Sequence, residues 1–309
     1  MKLESISHVA FRVTNLAETR RFAEDFGLQT ISNDGEHLYM RTVGGEPWCY
    51  RAEQGDERGF LGLGFTVSSK EDLERAVREH GASPVRDLDS PGGGIGVTLT
   101  SPEGMNVDLV WGVEPGEAGT PHPQLRHNAP GAYARHVQPQ SSRPLQPATL
   151  FRFGHIGLYV KDFATSFAWF TKVLGLTVSD TMHTGNPAQT IVGFLRIDRG
   201  ATWVDHHTVF LAQSNKSDCH HISFEVQDYE AQFRAHRWLE KQGWKPNWGV
   251  GRHPLGSHVF DVWFDPDGYR FETFSDTDLV NCDHQPGHHD VHDQEMDAWS
   301  SDSPERYFA

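Results

Sequence analysis

The chain has 309 residues. At roughly 150 residues per domain that is room for two domains, each with a core of its own. Its composition, 37% apolar and 22% charged, is that of an ordinary soluble globular protein. The formal net charge of −15 argues against a nucleic-acid partner, whose phosphates would be repelled. No stretch approaches the roughly 18 apolar residues of a membrane span. The N-terminus, MKLESISHVAF, lacks the apolar run of a secretion signal. Cys49, Cys219 and Cys282 are too sparse for a disulfide framework and form no C-x-x-C. The expected setting is therefore reducing and cytoplasmic.

The predicted elements come in repeating order. Residues 7–28, SHVAFRVTNLAETRRFAEDFGL, read as an alternating strand, a turn at Asn15, a helix and a closing Gly-Leu. Residues 62–67, GLGFTV, form a second strand, followed by a helix in SKEDLERAVREHGA; SPEGMNVDLV at 101–110 is a Pro/Gly turn and a strand. Residues 113–150 are rich in Pro, Gly, His and Gln without periodicity and read as a linker. The order then returns. Residues 154–176, GHIGLYVKDFATSFAWFTKVLGL, repeat the opening segment; HISFEV at 221–226 and the helix YEAQFRAHRWLEKQGW repeat the middle; DPDGYRFETF at 265–274 repeats the end. Asn15 and Asp162 are the expected helix N-caps, Gly27 and Gly175 the expected C-terminal glycines. The predicted organisation is thus a first domain at 1–112, a linker at 113–150, a second domain at 151–276, and a tail at 277–309. The tail carries eight acidic residues against one Arg and reads as a solvated acidic segment, despite its His/Asp-rich run HQPGHHDVHDQEMD.

Aligning the halves isolates a candidate metal site. The second half places His155, His221 and Glu272 where the first has His8, Gly62 and Asp108. Gly62 has no side chain to offer, so one complete site is expected per chain. Two imidazoles and a carboxylate from three strands suit Fe(II) or Mn(II), with coordination positions left open; zinc can use the same donors.

The stretch 251–272, GRHPLGSHVFDVWFDPDGYRFE, resembles the signature of type I extradiol ring-cleavage dioxygenases, in the vicinal oxygen chelate (glyoxalase/bleomycin resistance) superfamily. The matching features are His253, the strand after it, Asp265-Pro266-Asp267-Gly268 and Glu272. The resemblance implies an α+β fold: two tandem vicinal oxygen chelate domains, each of paired βαβββ modules forming a curved mixed sheet around a central cavity. It implies Fe(II), less often Mn(II), on His155, His221 and Glu272, and cleavage of a catecholic ring by O2 in a homo-oligomer. It also implies a proton-carrying His on the strand before His221. His206 and His207 are the candidates, and spacing favours His206, fifteen residues before His221. Such a group is needed because the diol must lose protons on binding and one must later be returned.

His253 matches a family histidine that hydrogen-bonds near the substrate oxygen. His258 is a further candidate substrate contact, and Phe194, Trp203, Trp248 and Phe260 are candidate aromatic pocket walls. The sequence departs from the family at Val262, where a Tyr is usual ten residues before the ligand Glu. Two competing readings share the scaffold. An isomerase, lyase or hydrolase of the glyoxalase type would normally use four protein ligands; a non-catalytic binder would normally lack the complete triad.

Overall fold

The computed structural model describes residues 1–123, 126–136 and 143–300. The first sheet is built from β1 (Leu3–Val13), β2 (Gln29–Asn33), β3 (His37–Arg41), β4 (Tyr50–Gln54), β5 (Gly59–Val67), β6 (Arg86–Asp87), β7 (Ile95–Thr100) and β8 (Asn106–Trp111). Helix α1 (Leu16–Phe26) follows β1, and α2 (Lys70–His80) follows β5. The strand order is β2-β3-β4-β1-β5-β8-β7-β6, so two βαβββ modules join edge to edge through the antiparallel β1–β5 pair. A short hairpin, β9 (Asn128–Ala129) and β10 (Ala132–Tyr133), lies in the stretch expected to be a plain linker. Backbone bonds from Gly116 to Gly45 and from Gly119 to Val43 pin that stretch to the first sheet. Residues 124–125 and 137–142 of it lie outside the described residues.

The second sheet repeats the plan. Its strands are β11 (Arg152–Val160), β12 (Thr177–His183), β13 (Thr190–Arg196), β15 (Val209–Gln213), β16 (Asp218–Glu225), β17 (Lys245–Pro246), β18 (Gly251–Arg252), β19 (Val259–Phe264), β20 (Arg270–Ser275) and β22 (Gly287–Asp290). Helices α3 (Phe163–Lys172) and α4 (Tyr229–Gln242) follow β11 and β16, and a small separate pair joins β14 (Val204–Asp205) to β21 (Leu279–Val280). The order β17-β19-β20-β16-β11-β15-β13-β12-β22 is again two modules joined at their first strands, β11 and β16. The fold is the α+β architecture expected from the sequence.

The helix ends follow local chemistry. Asn15 accepts from the Glu18 amide and Asp162 from the Thr165 amide, each supplying one of the acceptors a helix start lacks. Gly27 and Gly175 lie at positive φ past the helix ends.

Strand alternation gives the second sheet two chemically different faces. Ile156, Leu158, Ile222, Phe224 and Phe271 point into an apolar core that runs without a break into the first sheet. Phe271 meets Phe22 edge-on at 5.1 Å and Phe26 at 5.4 Å. The intervening residues His155, His221 and Glu272 turn to the concave face. Gly157 pairs with His221 across β11–β16, and a Cβ on Gly157 would sit 2.4 Å from His221 Nδ1. The missing side chain is what lets that imidazole lie flat on the sheet.

The acidic tail is less free than its composition suggests. β22 adds in parallel to the open edge of β12, and Asp297 is buried, accepting from Trp248 Nε1 at 3.2 Å and the Arg252 amide at 2.9 Å. An unpaired strand edge and buried amides give a polar segment partners that a hydropathy pattern does not register. Residues 301–309 lie outside the described residues.

Gly157→Ala should therefore leave the thermal unfolding midpoint within a few degrees of the parent and weaken metal binding at least tenfold. Metal titration of the refolded apoprotein checks this; unchanged affinity would mean that His221 does not depend on this clearance.

Candidate metal centre

Three neighbouring strands present the expected ligands. His155 lies opposite Ser223 across β11–β16, and Ser223 lies beside Glu272 across β16–β20. Ser223 Oγ donates to Glu272 Oε1 at 2.6 Å, and His155 Nε2 stands 3.1 Å from the same oxygen without hydrogen-bond alignment. Burial alone would raise the Glu272 carboxyl. The imidazoles of His221, His155 and His258 around it instead hold it well below the ordinary carboxylate value. An ionised carboxylate is thus fully enclosed among imidazoles.

Burial in turn works against a positive charge on several of the surrounding rings. Burial pushes His221 down to about 3, against the pull of Glu272. Burial also drives His207 and His258 well below the usual histidine range and lowers His253. A neutral imidazole is the form that binds metal.

The donor set fits a cation. His155 Nε2 and both ring nitrogens of His258 are buried without a hydrogen-bond partner among the described residues. Each such orphan costs about 1–3 kcal/mol, and a bound metal would satisfy them. His220 Nδ1 and His221 Nδ1 share a hydrogen bond at 2.6 Å. With the His221 nitrogen as donor, the Nε2 lone pair is left for a metal, an orientation that outer partners commonly enforce.

The grouping differs in one member from the expected set. The donor atoms lying within 4.8 Å of one another are those of His155, His258 and Glu272. His221 stands beside this trio, its ring 5.2 Å from that of His155. His258 reaches the centre because the 253–258 loop closes on itself. The His253 amide bonds the His258 carbonyl at 3.1 Å, and Ser257 adopts a left-handed backbone with φ of 55°. The sequence signal was available: two histidines bracketing Pro-Leu-Gly-Ser ahead of a strand.

The centre sits at one end of a cavity of about 170 Å³. His207, His221, His253 and His258 form its polar end; Met182, Val192, Phe194 and Phe210 line one wall; Pro254 and Leu255 line another; the tail contributes Val291, Gln294, Glu295 and Met296. His207, not His206, faces this space, its ring 4.5 Å from that of His155. His206 is turned away, bonded through Nε2 to Asp180 Oδ2 at 2.8 Å and covered by Gly256. His206 and His207 are neighbours in the turn between β14 and β15, so spacing from His221 alone does not decide which of them faces the cavity.

The other expected wall residues divide. Phe194 lines the cavity. Trp203 is 63% exposed, in the loop between β13 and β14, and is not a wall. Trp248, Phe260 and Val262 form a small buried cluster with Met296. Phe260 stacks on the His253 ring at 3.9 Å, and Val262 lies directly across β19–β20 from Glu272.

The equivalent place in the first sheet is larger, a cavity of about 780 Å³, but its donors are otherwise engaged. Asp108 takes hydrogen bonds from Thr98 Oγ1 at 2.5 Å, Arg86 at 3.5 Å and His8 at 3.4 Å. Gly62 pairs with Ala10 as His221 pairs with Gly157. Its φ is +147°, and a Cβ there would lie 2.5 Å from the Asn106 carbonyl oxygen, so an imidazole does not fit.

Comparison with known proteins agrees with this picture. Residues 152–273 match the model of the Glyoxalase/Bleomycin resistance protein/Dioxygenase superfamily. The chain is 26% identical to Metapyrocatechase 2 of Cupriavidus necator, over 99% of this chain and 91% of that one. It is 25% identical to Metapyrocatechase of Pseudomonas sp. strain CF600, over 90% and 88%. The fold matches a Mn(II)-bound glyoxalase from Novosphingobium aromaticivorans (TM-score 0.80, 22% identity, 99% of this chain and 94% of that one). It also matches homoprotocatechuate 2,3-dioxygenase from Arthrobacter globiformis (TM-score 0.81, 20% identity, 100% and 91%). The segment 152–273, which carries the candidate metal-site residues, thus matches the Glyoxalase/Bleomycin resistance protein/Dioxygenase superfamily, and the whole chain shares its fold with both solved structures.

Proposed function

We propose that this protein is an extradiol dioxygenase that opens a catecholic ring with O2 at one mononuclear Fe(II) centre, where Mn(II) can take the same ligands. The observation that carries this reading is a buried, ionised Glu272 ringed by partly orphaned imidazoles, two of which, His221 and His258, line an apolar cavity. The likeness to two metapyrocatechases, spanning both halves of the chain, supports the same reaction. In this reading the enzyme works in the cytoplasm as a homo-oligomer, consistent with its three free cysteines. Among the described residues no helix is long and apolar enough to cross a membrane.

His155, His221 and Glu272 would hold the metal, leaving open positions toward the cavity. Bound there, Fe(II) supplies the coupling between the diol oxygens and O2 and holds the two reactants side by side.

His207 takes the proton-carrying role in place of His206. The ionised Asp180 accepts from His206 Nε2 at 2.8 Å, and His206 Nδ1 lies 3.2 Å from His207 Nδ1. Burial alone would raise the Asp180 carboxyl; the His206 bond and the Gly287 amide hold it below the ordinary value. With Asp180 fixing the His206 tautomer, His206 Nδ1 accepts from His207 Nδ1. The His207 Nε2 lone pair is then free to take a hydroxyl proton from substrate. His206 and Asp180 are thus positioning residues. His253 Nδ1 donates to the Met296 carbonyl at 2.9 Å, which fixes the orientation of its ring beside the cavity. His258, with both nitrogens unpartnered, supplies the hydrogen bond that Val262 cannot.

One observation favours a second reading. His258 raises the donors around the centre to four, the number that glyoxalase-type isomerases and lyases use. Anaerobic activity supported by Ni or Zn would select that reading.

The direct test is O2 uptake by Fe(II)-loaded protein with catechol, expected at one O2 per ring opened, with a yellow product. Iron-replete protein inert toward every catechol would reject the proposal. His155→Ala and His221→Ala should lose iron, whereas His258→Ala should retain it and lose turnover. Loss of iron from His258→Ala alone would exchange His258 for His221 in the ligand set. His207→Gln should lower kcat by about 10²–10⁴-fold with iron unchanged, and Asp180→Asn by a smaller factor. A larger loss from His206→Gln than from His207→Gln would return the proton-carrying role to His206.

A further inference from the structure

Resting on the dioxygenase reading, we infer that this site takes single-ring catechols bearing a small neutral, apolar substituent and rejects those bearing a carboxylate. The volume sets the size. The cavity is about 170 Å³, and an apolar cavity of roughly 150 Å³ is enough to hold benzene. That is room for one ring and a small group.

The walls set the chemistry. Beyond the histidines, a substituent would meet Met182, Phe194, Leu255 and Met296. No Lys or Arg lines the cavity among the described residues; the one charged wall residue is Glu295, from the tail. Arg252, next to the lining residue His253, is committed elsewhere. It donates to the Ser257 carbonyl at 2.5 Å, pairs with Asp276 at 2.6 Å and lies over the Trp299 ring. A carboxylate on the ring would leave water for an apolar wall, without a counter-ion and with a like charge at the edge. A methyl group in the same place would meet Met and Leu side chains, a contact commonly worth about tenfold or more in specificity.

The tail is therefore part of the specificity device. Val291, Glu295 and Met296 reach the cavity because β22 pairs with β12 and Asp297 is held by Trp248 and Arg252. Neither contact involves the metal ligands, so the wall can be altered apart from the centre.

The experiment compares catechol, 4-methylcatechol, 3,4-dihydroxybenzoate and 2,3-dihydroxybiphenyl on the iron-loaded full chain, by kcat/KM and by anaerobic binding. The expected order places 4-methylcatechol at or above catechol, with the carboxylate and the biaryl at least tenfold below. Glu295→Arg should raise the carboxylate relative to the methyl compound at least tenfold, with iron content unchanged. A carboxylate bound and cleaved as well as the methyl compound, or a biaryl preferred to both, would overturn the inference while leaving ring cleavage intact. Absence of turnover with the binding order retained would overturn the dioxygenase reading alone.

Discussion

The second domain depends on how one negative charge is kept underground. Glu272 is wholly buried on β20, an interior strand of its sheet, yet its surroundings hold it ionised. Ser223 supplies one hydrogen bond. The remaining neighbours are the imidazoles of His221, His155 and His258, whose attraction offsets the cost of burial. A buried charge is costly without such partners or a cation. The fold stores the cost by packing Phe271 and Phe224 on the reverse face of the same strands, so the sheet cannot relax away from the carboxylate without disrupting its core.

The first sheet shows the same geometry with the charge problem solved differently. Asp108 occupies the Glu272 position but is answered by Thr98, Arg86 and His8, and the positive φ of Gly62, with the Asn106 carbonyl close against it, leaves no place for a second imidazole. One scaffold thus carries a centre that calls for a metal and another that has replaced it with ordinary ion pairing. The continuous core from Phe22 and Phe26 to Phe271 suggests a structural use for the first domain: it buttresses the strand that carries Glu272.

Much of this was legible in the sequence. The doubled strand–helix order, the caps at Asn15 and Asp162 and the pairing of His155 with Glu272 rest on period, capping and repeat alignment, all local properties. What escaped depends on loops and on facing direction. His258 enters the centre through a tight turn whose closure is not a periodic signal. His207 and His206 are adjacent, and only the bond of His206 to Asp180 on another strand decides which faces the cavity. Trp203 looks like a wall residue by type but lies on an exposed loop. The tail's burial rests on backbone pairing and on Asp297, which an acidic composition conceals.

The central claim is that His155, His221 and Glu272 together hold the reactive metal. A crystal structure of the Fe(II)-loaded protein with a catechol bound in the absence of O2 tests it most directly. The account predicts iron at coordination distance from one nitrogen each of His155 and His221 and one oxygen of Glu272, with both diol oxygens on the metal and His207 within hydrogen-bond reach of one of them. Iron held by His258 in place of His221, or a catechol seated away from the metal, would contradict it.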